Sequence, residues 1–151
     1  MDLGLKWRFF KSLSGGDDDA ERVYRWHIEA RSGSRLDADI PTDRWKTKID
    51  DYVGAAKSLW QSMSSTGFNK AHPVPIEPNG ELLDGSHRVA CALALDITNI
   101  WVELRPDYVW APAWDYFWFL NAKMPKDDMR RLLITDWYNL NGGNSRRPTG
   151  S

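Results

Sequence analysis

Five residues, Asp84-Gly85-Ser86-His87-Arg88, divide two segments of different character, and no other feature constrains the fold of this chain as strongly. Upstream, His72-Pro73-Val74-Pro75-Ile76-Glu77 is held extended by its prolines, Pro78-Asn79-Gly80 is a turn signal, and Glu81-Leu82-Leu83 reads as a returning strand. Downstream, Ser86 to Leu95 is rich in Ala and Leu with few charges after Arg88, which predicts a mostly buried helix. Asn99-Ile100-Trp101-Val102-Glu103-Leu104 then reads as the next strand. A hairpin feeding a helix through a glycine turn predicts an α/β (α+β) domain, with a small mixed sheet surrounded by helices.

The rest of the chain is arranged around that unit. Ile49, Tyr52, Val53, Ala56, Leu59, Trp60 and Met63 form one apolar helical stripe, with Thr42 as a candidate cap and Gly67 as the stop. Ala20 to Arg31 is ambiguous in period; the alternation of Tyr24, Trp26 and Ile28 favours a strand at its end. Residues 32 to 42 read as loop. Ala113 to Lys123 and Asp127 to Leu140 predict a carboxy-terminal helical pair parted by Met124-Pro125. Residues 1–19 read as an arm with a flexible joint at Ser14-Gly15-Gly16, residues 20–140 as a single domain, and 141–151 as a flexible tail. The arm mixes basic and aromatic residues, a composition that suits packing or a partner contact ahead of a membrane surface.

Composition excludes several classes. With 151 residues and 42% hydrophobic content, nine tryptophans included, the chain has enough apolar area for one core and is not of the disordered kind. A net charge of −1 gives no overall field toward duplex nucleic acid. No apolar run approaches the roughly 20 residues of a membrane helix, the amino end lacks the plan of a signal peptide, and the single cysteine, Cys91, has no internal disulfide partner. A cytoplasmic protein without a transmembrane segment is expected.

The turn carries the chemistry. A glycine between strand and helix lets the backbone approach a ligand, while the amides of the first helical turn face an anion. Phosphate is the natural guest: Ser86 adds a hydroxyl, Arg88 a planar cation, and His87 a donor or a proton-transfer group. Asp84 would repel a bare phosphate, so it holds a divalent metal that bridges to the phosphates, accepts a proton, or merely caps the helix.

The stretch "PVPIEPNGELLDGSHRVACALALDITNIWVEL", from Pro73 through Leu104, resembles the core of the ParB/sulfiredoxin superfamily, in which a hairpin enters a glycine-containing turn closed by a His-Arg or Arg-Arg pair. Sulfiredoxins place a reactive Cys directly before that pair; here Ser86 stands there and Cys91 lies deeper in the helix, which argues against sulfinic-acid repair. The partition-protein branch carries a basic helix-turn-helix module that this chain lacks. The motif is most similar to that of the free serine kinases, whose turn reads Asp-Gly-His-His-Arg, with Ser86 replacing the first His. The resemblance implies binding of ATP or another nucleoside triphosphate with Mg²⁺ at Asp84, phosphate contacts from Gly85, Ser86, His87 and Arg88, and phosphoryl transfer to a small hydroxyl-bearing acceptor, a sugar or polyol being one such class. It also implies a catalytic carboxylate near the start of the preceding helix, which nominates Asp43 and, after it, Asp39, beside Asp84 and His87. The alternative is a nucleotide-binding sensor or interaction module without turnover.

Other residues carry less. His27 and Glu29 would share a strand face and could add to a site, and His72 reads as a surface loop residue. With three histidines in the chain, no zinc-type cluster is expected. The run Trp110, Trp114, Tyr116, Phe117, Trp118 and Phe119 covers more than one helix face, which suits core packing plus a homo-oligomer contact, or a wall for stacking sugars.

Overall fold

The structure, a computed structural model, describes residues 2–32, 46–107 and 114–136. Helices α1 (Asp2–Ser12), α2 (Asp18–Ser32) and α3 (Ile49–Thr66) precede strand β1 (Val74–Ile76), helix α4 (Ser86–Ala94) and strand β2 (Val102–Leu104). Two short helices follow, α5 (Tyr116–Asn121) and α6 (Lys126–Arg131), the latter widening into a π-helical stretch over Leu132–Asp136. None of these helices is long and apolar enough to cross a membrane. The whole is a helix-rich α+β arrangement.

The first residues are not an arm. They form α1, which packs on α4 and α2 and inserts Leu5, Phe9 and Phe10 into the core; both phenylalanines are fully buried. Phe9 stacks on Tyr24 of α2 with ring centroids 4.3 Å apart, and Phe10 stacks near Trp60 of α3. Two of the basic residues that gave the segment its arm-like look, Lys6 and Arg8, are themselves buried and paired, while Lys11 is exposed. Arg8 donates to Asp17 through Nε and Nη2 at 2.7 and 3.1 Å, and Arg131 of α6 reaches the same carboxylate at 3.2 Å. The aspartates after Gly15-Gly16 therefore tie α1, α2 and α6 together.

Residues 20 to 31 are helical, which corrects the strand favoured by Tyr24, Trp26 and Ile28. Ala20, Val23, Tyr24, His27 and Ile28 are all buried, one stripe at offsets of three and four, while Trp26 lies on its flank. A consequence is that His27 and Glu29, two apart, point different ways: the imidazole is buried and the carboxylate exposed.

Helix α3 matches its expected stripe, with Val53, Ala56 and Met63 buried. Its start is fixed by Asp51, whose Oδ2 accepts from the Thr47 and Lys48 amides at 2.9 Å each, and Gly67 closes it at φ +73 by donating to the Met63 carbonyl. The Thr42 cap lies outside the described residues. The sheet is smaller than the mixed one expected: β1 and β2 pair in parallel, Val74 opposite Val102, and the returning segment adds one antiparallel bridge, Ile76 to Leu82. Proline explains the shortfall. Leu83 donates to the Pro75 carbonyl at 3.1 Å, but Pro75 has no N–H to return.

Candidate functional site

The hairpin turn delivers the chain to Asp84 through Asn79, whose side-chain oxygen accepts from the Glu81 amide, and Gly80, at φ +89. Gly85 is left-handed, φ +79, and begins α4. A side chain there would be strained, and a Cβ would lie 2.8 Å from Arg88 Nη2. The first helical bond runs from the Val89 amide to the Gly85 carbonyl at 3.0 Å, and among the described residues no side chain caps the helix. The amides of Ser86, His87 and Arg88 thus head the ladder with the positive end of the helix dipole.

A cation from another element meets this turn. Lys6 of α1 is 1% exposed, and its ammonium donates to Ser86 Oγ at 2.6 Å and to Asp2 Oδ2 at 2.5 Å. Because Lys6 uses a lone pair of the Ser86 hydroxyl, the hydroxyl proton is left to donate elsewhere. Burial pulls the Lys6 ammonium below its ordinary range, with Asp2 opposing, while the Asp84 carboxylate also acts on it electrostatically. Burial alone would raise the Asp2 carboxyl; His27 and Lys6 overcome that and hold it far below the usual carboxylate range. The geometry casts Lys6 as donor to both oxygens, in ion-pair contact with Asp2, rather than as a base for Ser86.

The two terminal residues of the motif are engaged with other parts of the fold. His87 Nε2 is 2.8 Å from the Tyr24 hydroxyl, with the rings edge to face at 5.8 Å, and burial, followed by the charges of Lys6 and Arg31, lowers its pKa well below the ordinary histidine value. It is half-buried, neutral and hydrogen-bonded to Tyr24. Arg88 Nη1 donates to the His72 and Pro73 carbonyls, the second at 3.1 Å, so its guanidinium latches α4 to the entry of β1. Asp84 is exposed at the rim, and Cys91 is fully buried with its thiol pushed up to about 12 by burial. His72 is exposed. Asp39 and Asp43 lie outside the described residues, as does Trp110. Among the described residues no group of three or more His, Cys, Asp and Glu gathers to hold a metal.

Behind Lys6 lies His27, which the sequence offered only as half of a strand pair. It is fully buried, edge to face with Trp114 and Trp118 at 6.0 and 5.5 Å and stacked near Phe119. Neither of its nitrogens has a hydrogen-bond partner; Nε2 is 3.7 Å from Asp2 Oδ2, an electrostatic contact beyond hydrogen-bond length. Burial brings its pKa down to about 4, with Asp2 opposing.

A pH dependence follows with a defined sign. As pH falls from about 6.5 toward 4, the unfolded chain takes up a proton that folded His27 refuses, so stability present above 6.5 is lost, by about 3 kcal/mol over the full span. Asp136 works the other way: burial raises its pKa to about 6, so its contribution is present at low pH and declines as pH rises through about 6. Comparison of wild type with His27→Phe cancels Asp136 and His87. Urea midpoints at pH 7 and 4.5 should fall less in the variant, and equal losses would remove His27 from the acid response.

An open hollow of about 650 Å³ lies elsewhere, lined by Asp17, Asp18, Glu21, Arg22, Arg25 and Glu29 among others. Its two arginines are already paired, Arg25 with Glu21 of the lining at 2.9 Å and Arg22 with neighbouring Asp19 at 2.6 Å. The turn before α4 is the better candidate because the Lys6 ammonium and the uncapped amides of α4 meet at Ser86. No protein-family model, curated protein or solved structure matches this chain.

Proposed function

We propose that this chain binds the phosphates of a nucleoside triphosphate at the start of α4, as a ParB/sulfiredoxin-type domain, and transfers the terminal phosphoryl group to a small hydroxyl-bearing acceptor. The observation that carries the reading is the convergence of a left-handed Gly85, the uncapped first turn of α4 and the Lys6 ammonium 2.6 Å from Ser86 Oγ. Backbone amides, a hydroxyl with its proton available and a buried cation together form a donor set for phosphate oxygens.

Mg²⁺ fits this donor set through one residue. It is usually held by one or two carboxylates plus the phosphates themselves, and Asp84 offers one exposed carboxylate at the rim. When bound there it would neutralise charge on the β- and γ-phosphate oxygens. The chain's own part is positioning: the α4 amides and Ser86 orient the phosphates, and Asp43, nominated as base, accepts the proton of the acceptor hydroxyl as its oxygen bonds to the γ-phosphorus and the nucleoside diphosphate leaves.

One observation favours the second reading, a nucleotide-binding module without turnover: His87, the motif's proton-transfer candidate, is neutral and engaged with Tyr24. Calorimetry with Mg²⁺-ATP, ADP and CTP tests the shared premise, and labelled ATP with a panel of sugars, polyols and hydroxy amino acids separates the readings. Heat of binding with ATP or another triphosphate is the expected result. Absence of heat and of thermal shift with every nucleotide at millimolar concentration would sink both.

A further inference from the structure

The buried polar cluster behind the turn holds two donors for one acceptor atom. Lys6 Nζ and His27 Nε2 both face Asp2 Oδ2, at 2.5 and 3.7 Å, and Lys6 alone is within hydrogen-bond reach. His27 meanwhile has no partner for either nitrogen, although it is fully buried. Leaving buried polar atoms unpaired costs about 1–3 kcal/mol each, so the arrangement calls for an explanation. Packing against Trp114, Trp118 and Phe119 accounts for the ring's place but supplies no acceptor.

We infer that Lys6 is the mobile cation of the phosphate site and His27 its stand-in: when Lys6 leaves Asp2 for a phosphate oxygen above Ser86, His27 Nε2–H closes on the Asp2 carboxylate. This rests on the phosphate-binding reading given above and adds a residue from α1 and one from α2 that lie outside the Asp84–Arg88 motif. The lysine is already positioned for the exchange, since one of its three N–H groups reaches Ser86 Oγ at the head of α4. The distance His27 must close, from 3.7 Å to ordinary hydrogen-bond length, is under about 1 Å. Asp2 then keeps a donor at all times, and a buried carboxylate is never left bare when Lys6 moves. The imidazole is neutral, so it carries one N–H for this purpose and adds no charge to repel the departing ammonium. His27 is accordingly a positioning residue that never touches the ligand.

The test uses the full chain and Mg²⁺-ATP as probe. Nitrogen-15 NMR of wild type should show the His27 imidazole signal moving on saturation, as its Nε2–H gains an acceptor. Lys6→Met, close to isosteric, should weaken binding by about tenfold or more, the loss of a hydrogen bond to a charged group. His27→Phe should weaken binding by a smaller factor, a few-fold, although Phe fills the same space. A wild type that binds Mg²⁺-ATP with no movement of the His27 signal overturns the inference while leaving the phosphate site standing. So does a folded Lys6→Met that binds within twofold of wild type. If Lys6→Met does not fold, the wild-type spectrum decides alone. A wild type that binds no Mg²⁺-ATP removes the inference together with the reading beneath it.

Discussion

Replacing Phe9 by Ala is expected to lower stability by about 3–5 kcal/mol, the range for deleting a buried aromatic ring, which approaches the whole stability of many single domains. The ring is fully buried, stacks on Tyr24 at 4.3 Å and lies 5.6 Å from Phe10, so its removal opens a cavity where α1 meets α2. The loss also reaches the site. Tyr24 holds His87 through its hydroxyl, and α1 carries Lys6, so a loosened α1 shifts two of the groups around the start of α4. Urea unfolding of wild type and Phe9→Ala measures the effect. A loss under 1 kcal/mol would mean that α1 is a peripheral arm after all.

That α1 was not legible as core has a physical reason. Asp2, Lys6 and Arg8 interrupt its apolar residues, and charged side chains in a short segment ordinarily mean solvent. Here they are buried because each has a partner, Asp2 for Lys6 and Asp17 for Arg8, and the Arg8 partner lies beyond the Gly15-Gly16 turn. The clue in the sequence was the Asp2/Lys6 spacing of four, one turn of helix. Where polarity followed period without such pairing, sequence and structure coincide: α3 lies under its apolar stripe, and the extended Pro73–Ile76 stretch and the Ala-rich α4 stand where their composition puts them. Helix α2 shows the limit of periodicity. Tyr24, Trp26 and Ile28 alternate like a strand, and the helical offsets of Val23, His27 and Ile28 outweigh them only because α1 and α5 lie there to bury that face.

The site divides in the same way. The glycine turn and the helix start were readable because backbone geometry is written locally, in a glycine followed by a run of helix formers. The destinations of His87 and Arg88 were not, since whether a side chain faces a cleft or the interior depends on what packs above it. Tyr24 captures one, and the carbonyls of His72 and Pro73 capture the other. Lys6, Asp2 and His27 were beyond reach for a simpler reason. They come from two helices far from the turn in sequence, and no local pattern links a lysine at position 6 to a serine at position 86.

The two acids nominated for catalysis should separate cleanly under substitution. If Asp84 holds Mg²⁺, Asp84→Asn lowers both the Mg²⁺-dependent nucleotide affinity and any transfer rate, because a neutral amide is a poorer ligand for a hard cation. Its exposure at the rim makes a folding defect an unneeded explanation for either loss. Asp43→Asn should leave nucleotide affinity within about twofold and lower turnover by about 10² to 10⁴, the usual worth of a positioned proton acceptor. Calorimetry with Mg²⁺-ATP and initial rates with the best acceptor of the panel, measured on both variants, give the four numbers required. Equal turnover in wild type and Asp43→Asn removes Asp43 from the mechanism and moves the search to Asp39 or to Glu29, which is exposed on α2. Loss of affinity in Asp43→Asn equal to that in Asp84→Asn would assign both carboxylates to the metal and leave Asp39 as the nominated acceptor of the hydroxyl proton.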